Sequence, residues 1–294
     1  MSKVIENNAT PHSDCNSPLH SLNKTPLGEK STLSRHYDPS VLVPIPRSML
    51  RTTLAIAAAL PFQGYDYLRA YEISWLNQNN HPQAAIANIK IPCDSIALIE
   101  SKSLKLYLNS FNQSPFRNIA EVQQRMQQDL SQHSQSEVTV TLEPCHRANI
   151  APLNRIPSAI NLDHLDIDCT PNAKQFLLQH PKNSSKKEML YTHLFRSLCP
   201  VTEQPDWATI YIAYQGIALQ HEALMQYLLA FRQCKSFHEH CIEKIYCHIL
   251  QQCKPEKLAV LGLFTRRGGV EINPYRSNDP DILPMDSIPR DPRQ

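Results

Sequence analysis

Apolar and polar positions change rhythm several times along this chain. D-Y-L-R-A-Y-E-I-S-W-L (66–76) and A-I-A-N-I-K-I-P (85–92) alternate with period two, which predicts two strands joined near His81-Pro82. A helical period takes over from about 97 to 111, with Leu104, Leu106, Tyr107 and Phe111 on the buried side. A second helix is expected over about 119–132, where Ile119, Val122, Met126 and Leu130 share a face and Asn118 and Glu121 form a capping pair. E-V-T-V-T-L (137–142) then alternates as a strand. The order recurs downstream. Strands are predicted at 190–198 and 208–214, helices at about 220–233 and 239–253, and a further strand at 257–264.

Sliding one half over the other by 120 residues aligns L-Y-L-N-S-F (106–111) with Q-Y-L-L-A-F (226–231), Gln113 with Gln233, and Leu130 with Leu250. The chain therefore reads as two copies of a β-β-α-α-β-β unit in an α+β fold. Such units lay their helices on one face of a continuous antiparallel sheet. The expected division is a disordered stretch over 1–25, a first module over 26–145, a connecting segment over 146–184, a second module over 185–278 and a tail over 279–294.

Composition narrows the function classes. Lysine and arginine total 29 against 27 acidic residues, a net charge of +2, and no basic block is interleaved with aromatics, so no nucleic-acid surface is expected. The longest apolar run, residues 54–60, is far short of the ~20 residues that span a bilayer, and the first ten residues lack a signal-peptide core. Nine cysteines without a C-x-x-C pair indicate mostly free thiols and a cytoplasmic setting. Six glycines in 294 residues is well below the ~7% average, and no Rossmann or P-loop glycine pattern can be written.

Candidate chemistry falls in four places. E-S-K-S-L-K-L-Y (100–107) opens a helix with a carboxylate, two hydroxyls and two ammonium groups, a setting able to hold a polar anion against the free N–H groups of the helix end. Cys199 ends a strand in the turn-rich S-L-C-P-V-T-E-Q-P-D-W (197–207). Most cysteines are inert core, and Cys234, Cys241, Cys247 and Cys253 fit that description. Asp206, seven residues after Cys199, is expected to raise its pKa, suiting a thiol that passes a proton to a base and takes one back. His238 and Glu239 open a helix whose dipole should keep Glu239 ionised, able to pair with the two parallel N–H donors of a guanine-like edge. His238 there reads as a proton relay, the alternative being an ordinary solvated first turn. T-R-R-G-G (265–269) fits either an exposed hairpin or backbone capture of a phosphate. No metal-ligand spacing occurs, since H-E-H has no matching partners.

Together these motifs, with N-S-F-N-Q after the first, F-H-E-H-C around His238 and T-R-R-G-G-V-E-I-N-P-Y-R-S near the end, resemble NADPH-dependent 7-cyano-7-deazaguanine reductases in their long, two-module form. These are the nitrile reductases of queuosine biosynthesis, a tRNA modification. The likeness runs from about 26 to about 277. It implies tandem tunnelling-fold modules, related in architecture to GTP cyclohydrolase I but without zinc, and a homodimer. It implies reduction of the nitrile to a primary amine with two NADPH per turnover. By position, Cys199 is the nucleophile that forms a thioimide, and Asp206 and His238 are its proton partners. Ile99, Glu100, Ser101, His238 and Glu239 hold the deazapurine, while Ser101, Lys102, Arg267 and Gly268 hold the cofactor.

Three rivals carry different chemistry. A cyclohydrolase-like purine hydrolase needs a zinc-ligand set. A cysteine nitrilase releases acid or ammonia without NADPH. A non-catalytic purine-binding module tolerates loss of Cys199.

Overall fold

Alternation along 63–76 and 82–92 becomes the longest ladder of the first half. Strand β2 (Gln63–Leu76) pairs antiparallel with β3 (Pro82–Pro92), with a register shift between Ala70 and Ile73. The computed structural model describes residues 36–54, 56, 59–145, 148, 159–167, 185–284 and 290–294. The expectations for 1–25, for the start of the likeness at about 26 and for most of the connecting segment lie outside them. The other strands are β1 (Pro44–Pro46), β4 (Ala97–Ile99), β5 (Thr139–Pro144), β6 (Ile160–Asn161), β7 (Ser185–Leu198), β8 (Pro205–Ile217), β9 (Lys257–Phe264) and β10 (Val270–Ser277). The helices are α1 (Arg47–Arg51), α2 (Ser101–Ser110), α3 (Ile119–Ser134), α4 (His221–Leu229) and α5 (His238–Cys253).

Eight strands form one sheet in the order β5-β3-β2-β10-β9-β8-β7-β6. All neighbours are antiparallel except the two-residue β6, which runs parallel to β7. The halves meet where β10 pairs with β2, from Val270 opposite Ala70 to Ser277 opposite Gln63. Register places Leu68, Ile272 and Val260 on one face. There α2 and α3 bury Leu104, Tyr107, Val122 and Met126 against Leu68, Ile89 and Val140. On the same face α4 and α5 bury Leu224, Tyr227, Ile242 and Ile245 against Ile210, Ile212 and Val260. Each such side chain stabilises the fold by roughly 1.5–3 kcal/mol.

The repeat is visible in backbone detail. β2 and β7 both have 14 residues, and β7 shifts register against β8 at the matching point, between Thr192 and Phe195. Isolated bridges join Leu76 to Pro115 and Leu198 to Lys235. The residue after β2 is Asn77, whose side-chain oxygen accepts from the N–H of Asn79 and of His81. The residue after β7 is Cys199.

Several expectations need correction. The first unit supplies β-β-α-α-β, without a counterpart of β10 among the described residues; β5 ends on Pro144, which has no N–H to continue the ladder. Residues 97–99 are a strand paired with β1 instead of helix, because Pro44 and Pro46 hold an extended edge against them. Helix α4 ends at Leu229 and tightens into a 3-10 turn over Ala230–Gln233.

At the seam, the helical face is ionic. Arg276, fully buried on β10, reaches Asp66 at 2.8 Å and Glu243 at 2.9 Å. Arg51 grips Glu243 with Nε and Nη2 at 2.8 and 2.6 Å, and Arg47 pairs with Asp66. Burial pushes the Glu243 carboxyl up, but the charges of Arg276, Arg51 and Arg47 prevail and hold it at about 2.

Candidate active site

The turn between β7 and β8 presents Cys199. Its N–H donates to the Gln204 carbonyl at 2.9 Å, and its carbonyl accepts from Glu203, which adopts φ 56°. The thiol is only 7% exposed. Burial pushes its pKa up, but the hydroxyl and N–H of Thr202, the Arg267 guanidinium and the Val201 N–H outweigh that and bring it below the usual thiol value. The expectation that Asp206 raises this pKa is therefore overturned: N–H and O–H donors of the turn face the sulfur. A thiol so placed is a ready nucleophile.

Asp206, the second residue of β8, contacts His238 Nε2 and Arg267 Nη1, each at 3.3 Å. Burial raises its carboxyl, yet His238, Arg267 and Lys105 hold it below the usual range. His238 starts α5 and stacks on the Phe264 ring with centroids 3.9 Å apart and planes 8° from parallel. Its Nδ1 is buried without a hydrogen-bond partner, free for a ligand. Glu239 follows. Burial, then the nearby charge of Asp66, pushes its carboxyl up to about 7, so the helix dipole does not keep it fully ionised as expected.

Glu100 corrects another expectation. Its carboxylate accepts from the N–H of Lys102 at 2.8 Å and of Ser103 at 2.7 Å, capping α2. The helix end is thus filled by its own carboxylate and offers no open anion site. Glu100 nevertheless lines a cavity, partly open to solvent, with Ile99 and Ser101 from the first half. The second half contributes Cys199, Asp206, Phe237, His238, Glu239 and Arg267 to the same walls. Eight residues singled out in the sequence thus meet in one place.

Lys102 and Gly268 do not line it. Gly268 borders a second, partly open cavity with Lys105, Asn109, Glu72 and Gly269. Gly268 and Gly269 have φ 59° and 72°, and a Cβ on Gly268 would lie 2.9 Å from Lys105 Cδ. Sequence reasoning assigned no role to Phe237, Thr202 or Lys105, although Lys105 was counted among the ammonium groups of 100–107 and lies one helical turn after Ser101. Among the described residues no group of three or more His, Cys, Asp or Glu could hold a metal ion, and no helix is long and apolar enough to cross a membrane. Six described cysteines carry free thiols, whereas Cys234, read as inert filler, is disulfide-bonded.

A family model described as nitrile reductase, 7-cyano-7-deazaguanine-reductase N-term matches residues 33–142, and one described as QueF-like protein matches 205–281. The NADPH-dependent 7-cyano-7-deazaguanine reductase of Dechloromonas aromatica is 46% identical over 255 residues, covering 86% of this chain and 90% of its own. The proteins of that name from Hahella chejuensis and Bordetella pertussis are 45% and 42% identical, each match covering 90% of this chain and 97% of theirs.

Proposed function

The chain belongs to the NADPH-dependent 7-cyano-7-deazaguanine reductase family, and from that premise we propose that it reduces the nitrile of this deazaguanine to the aminomethyl group through a covalent thioimide on Cys199. One observation carries the mechanism. A thiol with a lowered pKa shares a cavity with a carboxylate–imidazole pair and with two further carboxylates on its walls.

Glu239 and Glu100 are suited to accept from the amino and ring N–H groups of the base, with Phe237 beside them. The Cys199 sulfur adds to the nitrile carbon, and the nitrile nitrogen takes a proton relayed by Asp206 and His238. The product is an electrophile far better than the nitrile. NADPH supplies two hydrides. With the first hydride on carbon, expulsion of the sulfur leaves an imine, and the second hydride with two protons overall gives the amine. Holding the imine against the cavity walls until the second hydride arrives would limit its hydrolysis.

Residues around the second cavity fit the cofactor. Lys105 supplies positive charge there and Arg267 supplies it from the wall of the first cavity, and a side chain on Gly268 would displace Lys105. Ser101 borders the first cavity, at the reacting end. Lys102, on the first turn of α2, completes the cationic set we assign to the cofactor.

Tandem tunnelling-fold modules over 26–145 and 185–278, joined by 146–184 and followed by 279–294, are the architecture we propose, supported by the matched bulges and bridges of the two halves. A cytoplasmic homodimer without a nucleic-acid partner completes the reading; the near-neutral charge supports the last point, and free thiols at six described cysteines, against the disulfide at Cys234, support the compartment. The test is to mix protein, NADPH and the cyano-deazaguanine and follow the nicotinamide absorbance. Two cofactors oxidised per amine support the proposal; ammonia release without oxidation overturns it.

A further inference from the structure

Residues 290–294 lie against the sheet face opposite the helices, directly behind the catalytic pair. Gln294 is 7% exposed. Its Nε2 donates to the Phe264 carbonyl at 3.0 Å and to Asn273 Oδ1 at 2.8 Å. The same Asn273 oxygen accepts from the Phe264 N–H at 3.2 Å. One side-chain amide thus closes a ring around the backbone of the residue whose aromatic ring supports His238. Asp291, 2% exposed, accepts from Thr209 Oγ1 at 2.6 Å on β8, and its N–H donates to Gln294 Oε1 at 3.1 Å. Arg293 donates to the Ala208 carbonyl at 3.1 Å and to the His193 carbonyl at 2.5 Å. Its guanidinium lies 6.0 Å from the centroid of Trp207, the neighbour of Asp206.

We propose that residues 290–294 are a latch that positions the His238–Asp206 pair, with Gln294 fixing the Phe264 ring under His238 and Asp291 and Arg293 fixing the end of β8 that carries Asp206. None of the three side chains borders the cavity, so they act through other residues. The 3.3 Å contact between His238 and Asp206 needs both partners held from below. Phe264 ends β9, and beyond it the Thr265 N–H to the Trp207 carbonyl continues the pairing with β8. A loose strand end would let ring and carboxylate drift apart.

The catalytic half of this inference rests on the nitrile-reductase reading; the positional half does not. Gln294→Glu is nearly isosteric and replaces a donor by an acceptor facing two oxygens. Gln294→Ala removes the ties to Phe264, Asn273 and the Asp291 N–H, Thr209→Val removes those to Asp291 and His193, and both should fold. For all three, kcat should fall about tenfold or more while KM for the nitrile substrate changes little, since a misplacement far from the chemistry can cost ~10²-fold. The His238 ring protons, shifted upfield by the stacked Phe264 in wild type, should move downfield in all three variants by NMR. Wild-type kcat together with unmoved His238 resonances in Gln294→Ala and Gln294→Glu overturns the latch. If wild type reduces no nitrile, the functional reading falls, and the His238 resonances alone still decide the latch.

Discussion

Asp206 lies between His238 Nε2 and the Arg267 guanidinium, each at 3.3 Å, so replacing it by Asn removes both a charge and a proton carrier. Asp206→Asn should slow adduct formation by ~10²-fold or more while leaving the base bound; stopped-flow absorbance with the nitrile and no reductant measures this. Cys199→Ala should bind the deazapurine and show no mass increase. Glu239 gives a pH dependence. Its folded pKa lies above the ordinary carboxylate value. The neutral form therefore contributes stability that is complete below about pH 4.5 and is lost as pH rises through about 7. The ionised form is the one that accepts two N–H bonds, so substrate affinity should rise across that same interval. Glu239→Gln should flatten the affinity profile and stabilise the fold at pH 8 by an amount on the order of 1–3 kcal/mol, read as a higher melting temperature. The participants were legible in the sequence because reacting residue types stand in polar, turn-rich segments. Their charge states were not legible: the Thr202 hydroxyl facing Cys199 and the Asp66 charge felt by Glu239 come from folding, not from spacing.

At the scale of elements, strands with one covered face announced themselves, and so did helices with apolar stripes. β10 was implied by the repeat but not placed, because V-E-I-N-P-Y-R-S is buried on both faces yet carries Glu271, Asn273 and Arg276 inward. Each of these has a fitted partner: Arg69 for Glu271, Gln294 for Asn273, Asp66 and Glu243 for Arg276. Hydrophobic periodicity is silent about such a strand. The short β4 was hidden for the opposite reason, since Ala97, Leu98 and Ile99 continue the apolar pattern of α2 into a different conformation. The glycine pair between β9 and β10 yields a further prediction. Gly268→Ala places a side chain at φ 59° and 2.9 Å from Lys105 Cδ, a strain of about 1–2 kcal/mol. The expected outcome is a raised KM for NADPH with unchanged binding of the deazapurine, read by steady-state kinetics and calorimetry.

For the molecule as a whole, the ionic cluster at the seam ties α1, β2, α5 and β10 together. Removing one member leaves a buried charge without its partner, so Glu243→Gln should cost about 3–5 kcal/mol, measured by denaturant unfolding. Glu243 is held at about 2 in the folded protein. Its contribution is therefore complete above the ordinary carboxylate value near pH 4.5 and is lost as pH falls through about 2, so the variant should show a shallower acid transition than wild type. The sequence revealed the two halves through their aligned helices, but not the eight-residue pairing that fuses them, because strand partners distant in sequence leave no local trace. The duplicated frame has unequal contents. Where β7 hands over to a sulfur, β2 hands over to Asn77, an amide whose oxygen is already engaged by two backbone donors and which cannot attack a triple bond. Titrating the protein with nitrile in the absence of reductant should therefore saturate at a single equivalent per polypeptide.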